Sequence, residues 1–589
     1  MINAAPVNSQ AVNAWPAQNT PQPSKGDVKL PLRLQRSLGG DVQLPLHLVA
    51  FGSAEFATQW DVRVLLAGAD IAQWLTGAVR IEVEEGAARI AEVQILPGAP
   101  YTLATVSGRP IIIELQCTPG GAWHRRFTGS VELPELSGAG VLTLHCTDGR
   151  NASLASKTRP QLAQLLGGFW SDTVFSPDAD SLRYAEDRLS TLQASYDLDA
   201  YGQPRLTPWR AGLAAFHFTP DHIIDESLRL DANRVADLVN TIEAVFEFRW
   251  PRLHEFTHAF TWSNDRPLSE FYVGKFRFPE KASVNSAATS TSWRVQSEQY
   301  KPAPPSRTWE ENGSVYIWRN PFTDSPDADP YCSEARITLV QRSAQTLTEK
   351  WQVRVVADDS VTRYGIRKKD EGVAGQLAVE FDASAWEAGA DVVGHGPDLD
   401  RLPGQGRAEV DAGLRALVAR AAATIVSSHR NANLSFSIPA HSTLDTCHSV
   451  AAAHPIAQGV GKIRRLVTTL DTMTGRAVDD VTLAISAALA VGTAPSEPLP
   501  APKPTPLPVP PMTSTSSGGT TLDPTGKATS QVAGYLGISD APTTEGAQRA
   551  SEFRVTVPEL PANVRDPATL EQTYRYNVAI PIDRLILNP

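Results

Sequence analysis

Cysteine and methionine are scarce, with four Cys and three Met in 589 residues. Cys117, Cys146, Cys332 and Cys447 are far apart, irregularly spaced and without a CxxC pair. That argues against a disulfide framework and a structural zinc site, and predicts reduced, mostly buried thiols of a cytosolic compartment. Positive charge is also short. Lys and Arg number 53 against 64 Asp and Glu, for a net charge of −11. A protein built to grip nucleic acid needs the opposite balance, because binding rests on cations neutralising phosphates. An acidic surface keeps a chain soluble, and it also lets nucleic acid pass without sticking. Long apolar runs are missing. The most apolar stretch, Leu483–Val491, is short and holds Ser486, so no segment is expected to span a bilayer. The N-terminus has neither the basic nor the apolar region of a signal peptide. No GxGxxG opens a helix and there is no P-loop, so the motif-borne modes of nucleotide binding are not indicated.

What is present is ordinary in bulk: 42% hydrophobic and 20% charged residues, the balance of a soluble globular protein. The length implies roughly three to five domains. Proline (45) and tryptophan (13) are abundant, which suits strand-rich domains with irregular connections and partners that bury aromatics.

Residues 1–40 read as an extended arm. The first 28 are rich in Asn, Gln, Pro, Ala and Ser without an apolar period, a composition that orders only on a neighbour. Residues 41–155 read as a compact β domain. Val62, Val64 and Leu66 alternate, Asp70–Leu75 is a brief helical turn, and Ala78–Glu84, Ala88–Leu96, Ile111–Gln116, His124–Leu133 and Gly140–Cys146 follow as strands. Residues 156–310 form a connecting and accessory region. Pro160–Leu166 is a short helix, with Pro160 in its first turn and Gly167 as its stop. Ile242, Ala244, Phe246, Phe248 and Trp250 share one strand face, and Phe256, His258, Phe260 and Trp262 continue the pattern past Pro251. Residues 311–494 supply strands at 314–320, 335–341, 351–356 and 377–381, then one long helix at Arg407–Arg430 with apolar residues at the 3.6-residue period. Residues 495–520 are a proline-rich linker that favours extended polyproline II, reaching roughly 50 Å over its near-alternating prolines. Residues 521–589 read as a small C-terminal module with strands at Ser551–Val557 and Thr573–Ile582, suited to docking on another subunit or a fibre.

Chemistry-bearing motifs are few. His254-Glu255-Phe256-Thr257-His258 matches HExxH, which binds zinc when a helix sets both histidines on one face and the Glu activates water. Here the alternation is that of a strand, and on a strand residues four apart lie about 13 Å from each other, too far to share one zinc. The carboxylate pairs Glu84-Glu85, Asp358-Asp359 and Asp479-Asp480 are adjacent in sequence, so on a strand they face opposite ways and make no acid/base couple. Cys447-His448 has the residue types of a thiol nucleophile, against the commoner reading of a buried cysteine. Arg367-Lys368-Lys369 is a small basic cluster that reads as a solvated loop. No catalytic residue, cofactor site or metal ligand is assigned.

Gly461–Ser486 reads as one β-hairpin, with a turn at Asp471–Gly475 in which Gly475 takes positive φ. On the return strand Val481, Leu483 and Ile485 face one way. The basic first strand, the phrase LDTMTG and the ending TLAIS resemble the closing hairpin of the tail-hub proteins of long-tailed bacteriophages. FTGSVELPEL (Phe127–Leu136) with GVLTLHCTDGRNASL (Gly140–Leu154), and YAEDRLSTLQASYDLDAYGQPRLTPWRA (Tyr184–Ala211), resemble the end of the first ring domain and the connecting segment of such hubs. The resemblance covers roughly residues 41–486.

The resemblance implies a mainly β, multidomain fold with minor α: two tail-tube-like β-barrel domains, the first at 41–155 and the second at 311–494 with an inserted α+β segment and closed by the 461–486 hairpin, plus an accessory α+β domain and a C-terminal β module. It implies a structural virion protein, a homotrimer of the tail tip or baseplate. Six barrels from three chains would adapt a sixfold tube to a threefold tip for DNA ejection. The implied partners are a distal tail ring, the C-terminal end of the tape-measure protein in the lumen, fibres or spikes, and passing genomic DNA without specific binding; no membrane insertion is implied. The implied location is the virion, after assembly in the host cytoplasm. No lysozyme-like or peptidase domain follows the hairpin, which departs from better-known hubs. Two other readings stay open on the residues alone: a zinc or cell-wall hydrolase using His254 and His258, and a carbohydrate-binding adhesin rich in strands and tryptophan.

Overall fold

The computed structural model describes residues 56–57, 59–96, 98–231, 235–262, 285–286, 288–302, 308–311, 314–317, 332–379, 383–390, 404–486, 513–517, 557, 560, 562–580, 583 and 585–587. The N-terminal arm, nearly all of the proline-rich linker and nearly all of the strand expected at Ser551–Val557 lie outside the described residues. The fold is mainly β with minor α and several sheets.

The first β unit is built from Asp61–Leu66 (β1), Ala69–Asp70 (β2), Ala78–Glu84 (β3), Ile90–Ile95 (β4), Pro110–Gln116 (β5), His124–Leu136 (β6) and Leu142–Thr147 (β7). The expected helical turn is a 3-10 turn at Ala72–Trp74. The strand order is β3-β4-β7-β6-β5-β1-β2, with each of these pairings antiparallel. Inward residues of β1 and β3–β7, among them Val64, Ile81, Val93, Ile113, Phe127 and Leu144, converge on one core. β3 at one end of this order and β1 near the other share that core, so the sheet curls on itself.

Three helices follow, at Arg150–Ala155, Arg159–Leu166 and Ser181–Leu189. The second has the expected construction: Pro160 in the first turn, Thr158 and Gln161 as a capping box, and Gly167 at φ 67°. Leu154, Leu162, Leu166, Tyr184 and Leu189 close a separate small core over the hairpin of Ala194–Leu198 (β8) and Pro204–Pro208 (β9).

The chain then makes Phe216–Phe218 (β10) and Arg229–Asp231 (β11) before departing into a second sheet. That sheet holds Thr241–Trp262 (β12), Arg294–Pro302 (β13), Cys332–Val356 (β16) and Lys368–Ala378 (β17), while Thr308–Glu311 (β14) and Ser314–Ile317 (β15) pair with each other. β12 and β16 are single long strands paired from Thr241↔Val356 to Trp262↔Ala335. The alternation that continues past Pro251 in sequence belongs to one unbroken strand. Pro251 lies between the end of the β17 pairing at Arg249 and the start of the next flanking pairing at Thr257, so its missing N–H costs no described ladder bond on that side. The helix Gly404–His429 covers the inner face through Val410, Leu414, Leu417 and Ile425, against Phe246, Phe248 and Trp351.

The resemblance placed a second ring domain with an inserted α+β segment at 311–494. The segments at 335–341 and 351–356 are parts of β16 and pair with β12 in the second sheet. The second β unit is assembled from β10, β11, Ala432–Pro439 (β18), Ser449–Ala453 (β19), Ala457–Asp471 (β20) and Arg476–Ile485 (β21), in the order β11-β18-β21-β20-β19-β10. Its core joins Phe218, Leu434, Phe436, Val450, Ile463, Val481, Leu483 and Ile485. Strand alternation cannot say which distant partner a strand will choose, so the grouping was not readable locally.

The β20–β21 hairpin forms as expected, with Gly475 at φ 72° and Asp471 accepting from Met473 N, at 2.9 Å, and from the Thr474 hydroxyl, at 2.7 Å. It also serves both units. Its base lies in the second core, while Leu470 and Ala477 near its tip belong to the first. The same end of β20 pairs with β3, Arg465↔Glu84 to Asp471↔Ala78, which fuses both units into one 14-stranded sheet.

The C-terminal residues do not stand apart. Thr513–Ser517 (β22) pairs with β12, Ala568–Asn577 (β23) lies parallel to β16, and Leu585–Leu587 (β24) pairs with β20.

Close backbone approach makes one glycine testable. A Cβ on Gly129 of β6 would sit 2.1 Å from the Thr147 carbonyl oxygen and 2.7 Å from the Phe127 ring. Gly129→Ala is expected to lower unfolding free energy by about 1–3 kcal/mol, as overpacking does; an unchanged denaturation midpoint would contradict this packing.

Candidate functional site

The motif residues fall in structural positions. His254 and His258 are both on the inward face of β12 and both buried, and their spacing along one strand is about 13 Å. His254 Nε2 lies 3.4 Å from Gln345 Oε1, and the His258 ring meets Phe260 at 4.5 Å. Burial lowers the pKa of His258. Glu255 is on the opposite face, where Arg342 Nε donates to it at 2.7 Å. The arrangement that lets HExxH hold zinc and activate water is therefore not made by this strand. Among the described residues no group of three or more His, Cys, Asp or Glu could hold a metal ion.

The other motifs resolve similarly. Cys447 and His448 are neighbours in which burial pushes the thiol up to about 11 and the imidazole down to about 4. Both shifts oppose the thiolate–imidazolium pair of a cysteine nucleophile. Lys368 pairs with Glu243 at 2.6 Å and Lys369 with Glu371 at 3.0 Å, so this cluster offers little free positive charge. Within Asp479-Asp480 the first carboxylate is buried while the second accepts from Ser437 on the surface.

What the structure does assemble is a buried ion network where the first unit, the connecting segment and the second unit meet. Arg89, the residue immediately before β4, donates through Nη2 to both oxygens of Asp445, at 3.0 and 2.8 Å. Arg205 of β9 donates to Asp445 Oδ2 at 2.9 Å, to Thr446 Oγ1 at 3.0 Å, and to Asp197 of β8. Burial penalises the Asp445 carboxylate, yet Arg89 and Arg205 together hold it well below the usual range. Arg126 of β6 donates to the carbonyls of His441 and Leu444, at 3.0 and 2.9 Å, and to Thr468 Oγ1 at 2.8 Å. Its Nη2 lies 3.4 Å from Asp479, which also accepts from Thr468 Oγ1 at 2.5 Å and His441 N at 2.8 Å. Burial dominates there and raises the Asp479 pKa in spite of these partners. Glu85, just past β3, receives Lys462 at 2.8 Å and Arg430 at 3.0 Å. Asp148 accepts from the backbone N–H groups of Arg89 and Arg150, at 3.0 and 2.9 Å.

These residues were missed as a set because each looks like an ordinary surface charge in sequence. A signal was present. Arg126, Asp148, Arg150, Asp197, Arg205, Lys462 and Asp479 all fall within or directly beside the three hub-like stretches, and Arg126, Asp197 and Asp479 occupy strands. A charge within an alternating strand marks a buried pairing or a special surface.

The network's carboxylates are matched by guanidinium, ammonium, hydroxyl or backbone donors. Its capacity is to fix three segments in one arrangement.

No protein-family model and no curated protein matches the chain. Among solved structures it aligns with the tail protein from Neisseria meningitidis MC58 at TM-score 0.34 and 9% identity, over 72% of this chain and 96% of that one. It aligns with the prophage MuSo2 tail protein from Shewanella oneidensis at 0.32 and 9%, over 72% and 98%. It aligns with prophage tail protein gp18 from Listeria monocytogenes at 0.27 and 8%, over 72% and 94%. Similarity at these scores does not establish a shared fold, and the functional reading rests on the chain's own residues.

The junction predicts an acid sensitivity. Burial holds His441 down to about 3 and His448 down to about 4. Both stay neutral in the fold, whereas in the unfolded chain they take protons near the ordinary histidine value of about 6.5. Unfolding therefore binds protons between those limits, and stability falls as pH drops from about 6.5 toward 4. The loss is about 1.4 kcal/mol for each tenfold difference in proton affinity between the folded and unfolded chain. Denaturation at pH 7 and pH 5 should show the loss, and a His448→Gln variant should show less of it; equal pH dependence in the two proteins would contradict the assignment.

Proposed function

We propose that this chain is a structural protein of a bacteriophage tail, and more specifically the homotrimeric hub of its tip. The observation that supports this reading best is the presence of two β units, each around its own core, within one chain. Strands β1 and β3–β7 enclose one core, β10, β11 and β18–β21 enclose another, and β20 is hydrogen-bonded into both. Three such chains about an axis present six β units, so a threefold assembly can sit against a sixfold tube. The hub resemblance of the phrases at 127–154, 184–211 and 461–486 supports it independently, because those phrases supply the strands and buried charges that join the two units.

On this reading the function is mechanical. A distal tail ring binds one side, fibres or spikes bind around the other, and the channel holds the C-terminal end of a tape-measure protein before DNA passes. The net charge of −11 suits a channel that DNA must leave without adhering. On this reading His254, His258 and Cys447 are structural positions rather than reacting groups.

Gold-labelled antibody against this chain, applied to assembled tails, should mark a single end of each particle in few copies. Label spaced along the whole tube, or only on free protein with none on particles, would contradict the hub.

A further inference from the structure

The chain leaves the second β unit at Ser486 and returns to it at Asp583, and the two points touch. Asp583 N donates to Ser486 O at 3.2 Å, and Ser486 N donates to Asp583 Oδ2 at 2.9 Å. The return continues the interrupted strand. β21 runs antiparallel along β20 as far as Ala484, opposite Lys462. β24 then runs antiparallel along the same strand, with Leu585 opposite Gly459 and Leu587 opposite Ala457. β19 occupies the other flank of that stretch, from Ser449↔Lys462 to Ala453↔Gln458. β24 therefore sits on the β21 side and extends its track.

Before it reaches this place, the same segment binds the other sheet. β23 pairs with β16 at ten positions, from Leu347↔Ala568 to Val356↔Asn577. Val578 N donates to Val356 O at 2.7 Å, and Val578 and Ile580 are buried in the core beneath the long helix. A few residues later Leu585 packs against the core of the second β unit. The second sheet has another mount on the connecting region, where Gln376 N donates to Thr173 O at 3.0 Å and Arg420 lies over the Phe175 ring at 5.7 Å. The long helix also leads toward β18 past Arg430, which pairs with Glu85 at 3.0 Å, so the C-terminal segment adds a further tie on a separate edge of the second sheet.

We propose that Ala568–Ile580 and Leu585–Leu587 together act as a strap that sets the orientation of the second sheet on the fused β units, and that β24 is its releasing end. β24 holds by three register pairs against ten for β23, and Ile586 and Leu587 keep 37% and 56% of their surface exposed. Its anchor is also costly. Burial raises the Asp583 pKa to about 6, with Arg430 and Arg210 the charged groups that oppose the shift. The docked carboxylate is thus destabilising above that pH and relieved by protonation below it, so the strap grips more tightly in acid.

The test places spin labels on ketone-bearing residues introduced at the exposed positions 136 and 373, one on each sheet, in full-length chain diluted with unlabelled protein. The intact chain should give one narrow distance peak. Leu585→Asp, and separately a chain ending at residue 582, should lose that peak to a broad distribution. The same narrow peak in a folded chain without β24 would overturn the strap. Should both fail to fold, Asp583→Asn decides the releasing end, since it keeps both hydrogen-bonding groups and removes the charge. Hydrogen exchange at 585–587 should slow in that variant at pH 8, and unchanged exchange would overturn the assignment.

Discussion

The structure depends on the burial of Arg126 against Asp479 and the backbone that surrounds them. Arg126 belongs to the first β unit, Asp479 to the shared hairpin, and the carbonyls of His441 and Leu444 to the loop after β18. Removing a guanidinium and a carboxylate from water costs several kcal/mol per ion, and the pair is tolerated only when remaining donors and acceptors are satisfied. That satisfaction requires three distant segments in place together. Arg89, Arg205, Asp197 and Asp445 repeat the logic beside it, tying the connecting segment to the same loop. Such networks add little net stability compared with apolar packing, but they penalise every other arrangement of the same segments. For a part that must hold two β units in fixed relation, discrimination of this kind matters more than a deeper energy minimum.

The hairpin gives that relation its geometry. A hydrogen-bonded strand shared by two units transmits twist and position between them more stiffly than a linker would. β20 has a register shift between Ile463 and Arg465, where its pairing passes from the second unit toward the first. Bulges of this type bend a strand and redirect its side chains. Here the bend lets Ile463 and Leu466 enter one core and Leu470 the other. The inserted sheet, with its long helix, then stands on a body already made rigid, and the C-terminal strands return to brace it.

Much of the local structure was legible in the sequence. The strands of the first unit, the capped helix after Thr158, the long helix near 404–429 and the hairpin turn at Asp471–Gly475 each follow from short-range periodicity or turn chemistry. Pairing over long separations was not. β16 had no local mark of its choice of β12, and β10 reaches β19 across more than two hundred residues. A lone HExxH carried the wrong chemistry because the motif specifies residue types, while zinc binding needs the helical spacing that Phe256, His258 and Phe260 rule out. The buried ions were hidden for a related reason: a charge declares its partner only in three dimensions.

If two β units in one chain serve a threefold assembly, the purified chain forms trimers, which light scattering over a range of concentrations measures. One subunit is 63.6 kDa, so three give about 191 kDa (3 × 63.6). The account predicts that mass, either throughout the range or as the only assembled species in equilibrium with monomer. A stable dimer or a sixfold ring of this chain would contradict it.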